Sequence, residues 1–145
     1  MNIDVLIPCK NPKENLLETI NSLDQISEIN KIFIIDDYSI NNGSIYNFIE
    51  NNFKKIIVIK NIFKKGISGA LNTGLYFSRS KYIARIDCGD ICISKNRFKK
   101  ILEVFEMDNK IDLVCTGIIG KNHIKLRPRI TKSNGILSPF SRVPH

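Results

Sequence analysis

Long apolar runs and a secretory leader are both missing from this sequence. The longest apolar runs, at residues 32–35 and 56–59, are far shorter than the roughly 20 residues that a membrane-spanning helix needs. The N-terminus has no basic region followed by a long apolar stretch, so it does not resemble a signal peptide. These absences predict a cytoplasmic protein, either free in solution or in contact with the inner face of a membrane.

Several nucleotide-binding and catalytic motifs are also absent. No G-x-G-x-x-G follows the first apolar run and no G-x-x-x-x-G-K-S/T occurs anywhere, which argues against a Rossmann dinucleotide site and a P-loop. Residues 66–69 are a weak candidate for a phosphate cradle at a helix start, and a loop that caps the helix explains them equally well. The only histidines, His123 and His145, lie near the C-terminus and suggest no catalytic triad.

Cysteine is sparse, and its positions favour free thiols. Cys9, Cys88 and Cys115 lie in or beside apolar, strand-like runs, as buried thiols in a reducing compartment do. Cys88 and Cys92 are four residues apart, but no second cysteine pair or suitably spaced histidine pair follows. A structural zinc site is therefore disfavoured.

Basic charge is concentrated at one end of the chain. The net charge is +8, but residues 1–120 hold 16 basic and 14 acidic side chains, whereas residues 121–145 hold six basic residues and no acid. We predict a nearly neutral domain over residues 1–119 and a basic, irregular tail over 120–145. Such a tail could contact phosphates, anionic lipid or nucleic acid, although a solvated loop is commoner.

Apolar periodicity predicts alternating strands and helices. The expected strands are residues 3–8, 31–35, 55–59, 81–86 and 111–119, and the expected helices are residues 13–26, 45–53, 67–79 and 94–108. Short connections between such elements indicate an α/β three-layer sandwich with a mostly parallel central sheet. The central strands are apolar throughout, as a sheet covered on both faces requires.

Carboxylates follow two of these strands. Asp36 and Asp37 end the second strand, and Asp87 and Asp90 follow the fourth. Ligands of open α/β sheets bind at the carboxyl ends of strands, and crowded carboxylates call for a cation or hydrogen-bond donors. We predict that the acids share one cleft with Mg²⁺ or Mn²⁺ and substrate phosphates. For Asp36 or Asp90 alone, a helix cap or turn is the better interpretation.

Four segments within residues 3–119 together resemble family 2 glycosyltransferases, which have the GT-A fold. They are Ile7-Pro8-Cys9-Lys10-Asn11, then Ile35-Asp36-Asp37-Tyr38-Ser39, then Gly66, Ala70, Asn72 and Gly74, and finally Asp87-Cys88-Gly89-Asp90. The last segment, with its flanking residues ARIDCGDI, resembles transferases that build bacterial surface polysaccharides.

The resemblance implies a role for each matching residue. Asp37 would hydrogen-bond the nucleotide base, Pro8 and Asn11 would line the nucleotide pocket, and Asp87 would face the ribose and diphosphate. Mg²⁺ or Mn²⁺ would neutralise the departing nucleoside diphosphate. Many relatives have D-A-D-D where this chain has D-C-G-D, so Asp87 and Asp90 remain alternative metal ligands.

The implied reaction is transfer of a sugar, with inversion, from a UDP-linked or other nucleotide-sugar donor to a polysaccharide or lipid-linked acceptor. Inverting relatives carry their general base well after the metal motif, and no acid follows Asp112 here. The chain therefore resembles a donor-binding domain cut short at the start of the acceptor-binding region. We expect no catalytic base in it, no nucleic-acid partner, and at most peripheral contact with a membrane.

Two other functions fit the sequence less well. A metal-dependent sugar nucleotidyltransferase would carry a glycine-rich basic loop after the first strand, where this chain has Cys9-Lys10-Asn11-Pro12. A nucleic-acid-binding module could use the basic tail, but no helix-turn-helix, zinc finger or RNP-like stretch occurs.

Overall fold

A parallel sheet forms the centre of the first of two compact units. The computed structural model describes residues 2–40, 43–120, 125–126 and 129–132, and its units are Met1–Phe98 and Lys99–His145. The first unit contains β1 (Ile3–Cys9), α1 (Asn15–Asp24), β2 (Ile29–Asp36), α2 (Gly43–Asn52), β3 (Ile56–Lys60), α3 (Ile67–Phe77) and β4 (Tyr82–Arg85). It also contains the first residues of α4 (Arg97–Met107).

The strand order is β3-β2-β1-β4, and every pair is parallel. Cys9 pairs with Asp36 at the end of the β1–β2 ladder, and Leu6 pairs with Arg85 at the end of the β1–β4 ladder. The chain moves to one side of β1 through β2 and β3, then returns to place β4 on its other side. This reversal is the topological switch point at which open α/β sheets bind ligands.

Helices cover both faces of the sheet. Ile35 and Asp36 are consecutive in β2, so their side chains point to opposite faces. Gly74 of α3 lies against Ile35, whereas Tyr46 of α2 donates a hydrogen bond to Asp36 at 2.8 Å. Because β1–α1–β2 and β2–α2–β3 shift in the same direction, right-handed crossovers place α1 beside α2. The predicted three-layer arrangement is confirmed.

Small residues let α3 approach the sheet closely. A methyl group at Gly74 would lie 2.8 Å from the Leu6 side chain, a distance that real side chains do not tolerate. The inward side of α3 is made of Gly69, Ala70, Thr73 and Gly74. Ala70 belongs to a buried cluster with Leu6, Phe33 and Ile35.

The second unit corrects two sequence-based predictions. The single strand expected over residues 111–119 is two strands, β5 (Ile111–Cys115) and β6 (Ile118–Ile119). The irregular tail contains β7 (Lys125–Leu126), paired antiparallel with β6, and β8 (Arg129–Lys132), paired antiparallel with β5. Strands of two to four residues are too short to produce a periodic pattern. The rest of residues 121–145 lies outside the described residues, and the boundary at 119/120 stays a prediction.

Two further predictions concern cysteine and membrane spans. All four cysteines are free; Cys115 is exposed and Cys88 is half-buried, whereas the sequence predicted that both are buried. None of the described helices is long and apolar enough to cross a bilayer.

Asp4 joins three parts of the chain at the amino end of the sheet. Its side chain is 1% exposed, and one oxygen accepts hydrogen bonds from Asn30 Nδ2 at 3.0 Å and the Lys31 N–H at 3.2 Å. The other oxygen accepts from the Ser78 hydroxyl at 2.5 Å and the Ser80 N–H at 3.3 Å. Burial would raise the pKa of Asp4, but the hydrogen bonds outweigh burial and hold that pKa below its ordinary value.

We expect Asp4→Asn to lower the free energy of unfolding by about 2 kcal/mol at neutral pH, because hydrogen bonds to a buried charge are lost. Since the folded-state pKa is lowered, the carboxylate stabilises the fold above its unfolded pKa of about 3.9 and loses this effect as pH falls through the folded pKa. Urea unfolding of the wild type and of Asp4→Asn should show a difference in the free energy of unfolding that becomes smaller at acidic pH. Glu18→Gln, at an exposed carboxylate, is the control, and a pH-independent difference for Asp4→Asn would contradict the assignment.

Candidate functional site

The loops after β1, β2 and β4 meet at Cys9. Its carbonyl oxygen accepts the Asp37 N–H at 2.7 Å, which extends the β1–β2 pairing by one residue. Its buried thiol hydrogen-bonds to the thiol of Cys88, which raises the pKa of Cys9. The two predicted acidic segments therefore flank the same residue at the switch point.

Asp36 and Asp37 do not form the carboxylate pair that the sequence predicted. Asp36 Oδ1 accepts the Tyr46 hydroxyl at 2.8 Å on the α2 side of the sheet. Asp37 accepts hydrogen bonds from the Asn61 side chain and the Gly66 N–H, on the α3 side. Consecutive residues at a strand end point to opposite faces, so only Asp37 can face a ligand on the α3 side.

Asp37 is held by donors at the start of α3. Both carboxylate oxygens lie 3.0 Å from the Gly66 nitrogen, and Oδ1 also accepts from Asn61 Nδ2 at 2.8 Å. Gly66 is the N-cap residue of α3 with a φ of +123°, a conformation suited to glycine. Its N–H is directed at Asp37, which supports the interpretation of residues 66–69 as a capping loop rather than a phosphate cradle.

The Asp37 carboxylate stays ionised although it is only 7% exposed. Burial would raise its pKa, but the Gly66 and Asn61 hydrogen bonds, with the charges of Lys10 and Lys65, lower the pKa below its ordinary value. A carboxylate beside the N-terminus of a helix is further favoured by the helix dipole. Asp37 is thus a preorganised hydrogen-bond acceptor at neutral pH.

Asn61 and Thr73 complete this network, and the sequence analysis did not identify them. The Thr73 hydroxyl donates to Asn61 Oδ1 at 2.9 Å and accepts the Ile62 N–H at 3.1 Å. Asn61 is buried and directly follows β3, whose ladder ends at Lys60 opposite Asp36. The rule that directed attention to Asp37, a polar residue directly after a buried strand, applies equally to Asn61.

Asn11 links the loops after β1 and β2. Its N–H donates to the Ser39 hydroxyl at 2.7 Å, and its Oδ1 accepts the Ile40 N–H at 2.9 Å. Asn11 and Tyr38 adopt positive φ values of +48° and +57°, which are uncommon for residues other than glycine and cluster at functional sites. Pro8 pairs in register with Ile35, one residue before Cys9.

Asp87 and Asp90 lie in one turn. The Asp90 N–H donates to the Asp87 carbonyl at 2.9 Å, and Gly89 between them has a φ of +100°. The Gly89 N–H donates to the Thr19 hydroxyl of α1 at 2.9 Å. A side chain at position 89 would therefore be strained and would meet Asn15 at 3.0 Å, so the turn itself explains glycine in place of a third acid.

The described residues alone do not form a complete metal site. They include no group of three His, Cys, Asp or Glu side chains placed to hold an ion. Asp87 makes a two-point ion pair with Arg85, at 2.8 and 2.9 Å. One or two carboxylates suffice for Mg²⁺ when substrate phosphates and water complete its shell, so the pair Asp87 and Asp90 fits an ion that arrives with a diphosphate.

We expect Gly69→Ala to disturb the Asp37 network. The added methyl group would lie 1.8 Å from the Lys64 carbonyl oxygen, so the loop before α3 must move. Overpacking of this kind costs about 1–3 kcal/mol of stability, measurable by urea unfolding. Gly43→Ala is the matched control, because nothing lies within 4 Å of its added methyl group; equal stability of the two variants would contradict the prediction.

Solved structures with the same fold bind nucleotide sugars. A mannosyltransferase from Pyrobaculum calidifontis in complex with GDP-Man and Mn²⁺ superimposes with a TM-score of 0.66 at 13% identity, covering 76% of this chain and 33% of that one. Residues 1–349 of Staphylococcus aureus TarS in complex with UDP-GlcNAc superimpose with a TM-score of 0.63 at 19% identity, covering 77% and 33%. At these identities the likeness establishes the GT-A fold.

One relative has a higher sequence identity to this chain than these solved structures do. The Escherichia coli UDP-Glc:alpha-D-GlcNAc-diphosphoundecaprenol beta-1,3-glucosyltransferase WfaP is 33% identical over 94 residues, which are 63% of this chain and 37% of that protein. The chain thus spans about a third of the length of these relatives. The model of the glycosyl transferase family 2 matches residues 4–142, and the chain therefore belongs to that family.

Proposed function

We propose that this chain is the donor-binding part of a glycosyltransferase that moves a sugar from a UDP-linked donor to a polysaccharide or lipid-linked acceptor. The observation that carries the proposal is that both acidic loops leave the same end of the sheet on either side of β1. The Asp37 N–H donates to the Cys9 carbonyl at 2.7 Å, and the N–H of Ile86, directly before Asp87, donates to the Leu6 carbonyl at 3.1 Å. Family membership favours this function over the nucleotidyltransferase and nucleic-acid-binding alternatives.

The donor assignment is supported by relatives. The E. coli relative is a UDP-Glc-dependent enzyme by name, and TarS has been solved with UDP-GlcNAc. The E. coli enzyme acts on a diphosphoundecaprenol-linked sugar, which supports a lipid-linked acceptor and peripheral contact with a membrane.

Asp37 accepts a hydrogen bond from an N–H of the base in this proposal. Its carboxylate is already oriented by Gly66 and Asn61, so little side-chain freedom is lost when the nucleotide binds. Pro8 and Asn11 line the same pocket. Pro8 pairs with Ile35, two residues before Asp37, and the Asn11 N–H donates to the hydroxyl of Ser39, two residues after Asp37.

Asp87 and Asp90 hold Mg²⁺ or Mn²⁺ together with the donor diphosphate. The ion supplies positive charge beside the leaving nucleoside diphosphate, and the mannosyltransferase solved with Mn²⁺ supports this choice. Arg85 competes for the Asp87 carboxylate and is itself a cation within reach of a diphosphate.

We assign no residue of this chain as the general base. The acids after residue 100 are Glu103, Glu106, Asp108 and Asp112, and all precede or begin β5. We propose that the isolated 145-residue chain binds donor but transfers little sugar.

We expect UDP and Mn²⁺ together to raise the midpoint of thermal unfolding by several degrees. A ligand at a hundred times its dissociation constant adds about 2.7 kcal/mol to the free energy of unfolding. Asp37→Asn should abolish the ligand-dependent shift, measured against the variant's own unliganded midpoint, because an amide cannot replace the anionic acceptor. Glu106→Gln, at an exposed carboxylate of the second unit, should keep it.

An unchanged shift in Asp37→Asn would contradict the role of Asp37. Equal shifts with UDP in the presence and absence of Mn²⁺ would contradict the role of the metal. Robust transfer by the 145-residue chain would show that it contains a base that the proposal lacks.

A further inference from the structure

The exposed side of α3 carries no charged residue and is mostly apolar, with Ser68 and Asn72 as its polar members. Ile67, Leu71 and Leu75 are four residues apart and form one stripe along the helix. Ile67 is 49% exposed, Leu75 is 51% exposed, and the neighbouring Tyr76 is 60% exposed. We call these four residues the α3 surface. Leu71 is partly buried against the core cluster, whereas Ile67, Leu75 and Tyr76 are exposed.

The loop before α3 enlarges this apolar area. Ile62 is 55% exposed and Phe63 is 44% exposed. The Ile62 N–H donates to Thr73 of α3 and the Asn61 side chain donates to the Lys64 carbonyl, so the loop runs alongside the helix. Exposed apolar side chains that are grouped in this way indicate an interaction site.

Cations lie at both ends of the α3 surface. Lys64 and Lys65 precede the helix, Arg79 and Lys81 follow it, and all four side chains are exposed. The chain from residue 51 to residue 86 contains eight basic residues and no acid. The other helices differ, since α1, α2 and α4 each expose at least one glutamate.

This combination fits one partner chemistry. Apolar side chains beside cations suit the interface of a bilayer, where the apolar groups enter the acyl boundary and the cations contact anionic head groups. We propose that the α3 surface docks on an anionic lipid bilayer. Anionic lipid is favoured over a protein partner because four exposed cations flank α3 and no acid occurs between residues 51 and 86.

Docking through α3 also suits the position of the donor site. Gly66 at the N-terminus of α3 binds Asp37, so the carboxyl edge of the sheet lies at one end of the docked helix. An acceptor carried on a lipid would then meet the donor at the membrane surface. The inference rests on the proposed function at this point only, and vesicle binding is measured without any nucleotide.

The chain contains no tryptophan, so a single introduced tryptophan reports its own surroundings. We expect the emission of Tyr76→Trp in the full chain to shift to the blue with vesicles of equimolar phosphatidylglycerol and phosphatidylcholine, and not with pure phosphatidylcholine. Phe48→Trp is the matched control, because Phe48 is 51% exposed on α2 at the opposite face of the sheet, and its emission should not shift.

Sedimentation with the same vesicles measures the contribution of the surface. Arg79→Glu combined with Lys81→Glu should lower vesicle binding by about tenfold or more at low salt, and Leu75→Ser combined with Tyr76→Ser should lower it similarly. Wild-type binding in both variants would show that the basic residues after 120 carry the contact and would overturn the proposal. Self-association of the wild type that Leu75→Ser with Tyr76→Ser abolishes, without vesicle binding, would also overturn it. A thermal shift with UDP and Mn²⁺ that persists in these variants separates this proposal from the donor site.

Discussion

The hydrogen bonds between the Asp37 carboxylate and the Gly66 N–H hold the candidate site together. They join the end of β2 to the start of α3, two elements that also pack together in the core through Ile35 and Ala70. The same bonds occupy the first free N–H of the helix, keep Asp37 ionised while buried, and require glycine at a positive φ. Asn61, which follows β3, donates a further hydrogen bond to Asp37. A single carboxylate thus connects the end of β2, the β3–α3 loop and the helix.

The central position of β1 explains why the site forms where it does. β1 lies between β2 and β4, two strands that the chain reaches on opposite sides of it. Backbone hydrogen bonds tie both following loops to β1, from the Asp37 N–H to the Cys9 carbonyl and from the Ile86 N–H to the Leu6 carbonyl. The loops that carry Asp37 and Asp87 lie at the same edge of the sheet because of strand order, although about 50 residues of sequence separate the two acids. Sheet topology therefore determines the composition of the site more than local sequence does.

Much of this arrangement could be predicted from the sequence, and the remainder depended on neighbours in space. Buried parallel strands such as Ile32–Ile35 are apolar on both faces, so their pattern alone identified the sheet. The opposed directions of Asp36 and Asp37 follow from strand alternation and could have been foreseen. The role of Thr73 could not, because it depends on how α3 is rotated against the β3 loop. β7 and β8 could not either, since strands so short exist only through pairing.

The strand order also has a consequence for how the chain is made. β1 pairs with β2 after about 25 residues of chain, but its other edge has no partner until residues 82–85 have been synthesised. Until then, one side of an almost fully apolar strand presents unpaired N–H and C=O groups, a template for pairing with other chains. More than four-fifths of the first unit must therefore be synthesised before β4 can pair with this edge of β1. Slow synthesis over residues 40–85 would therefore favour aggregation of the nascent chain, whereas fast synthesis or a chaperone bound to the open edge of β1 would favour folding.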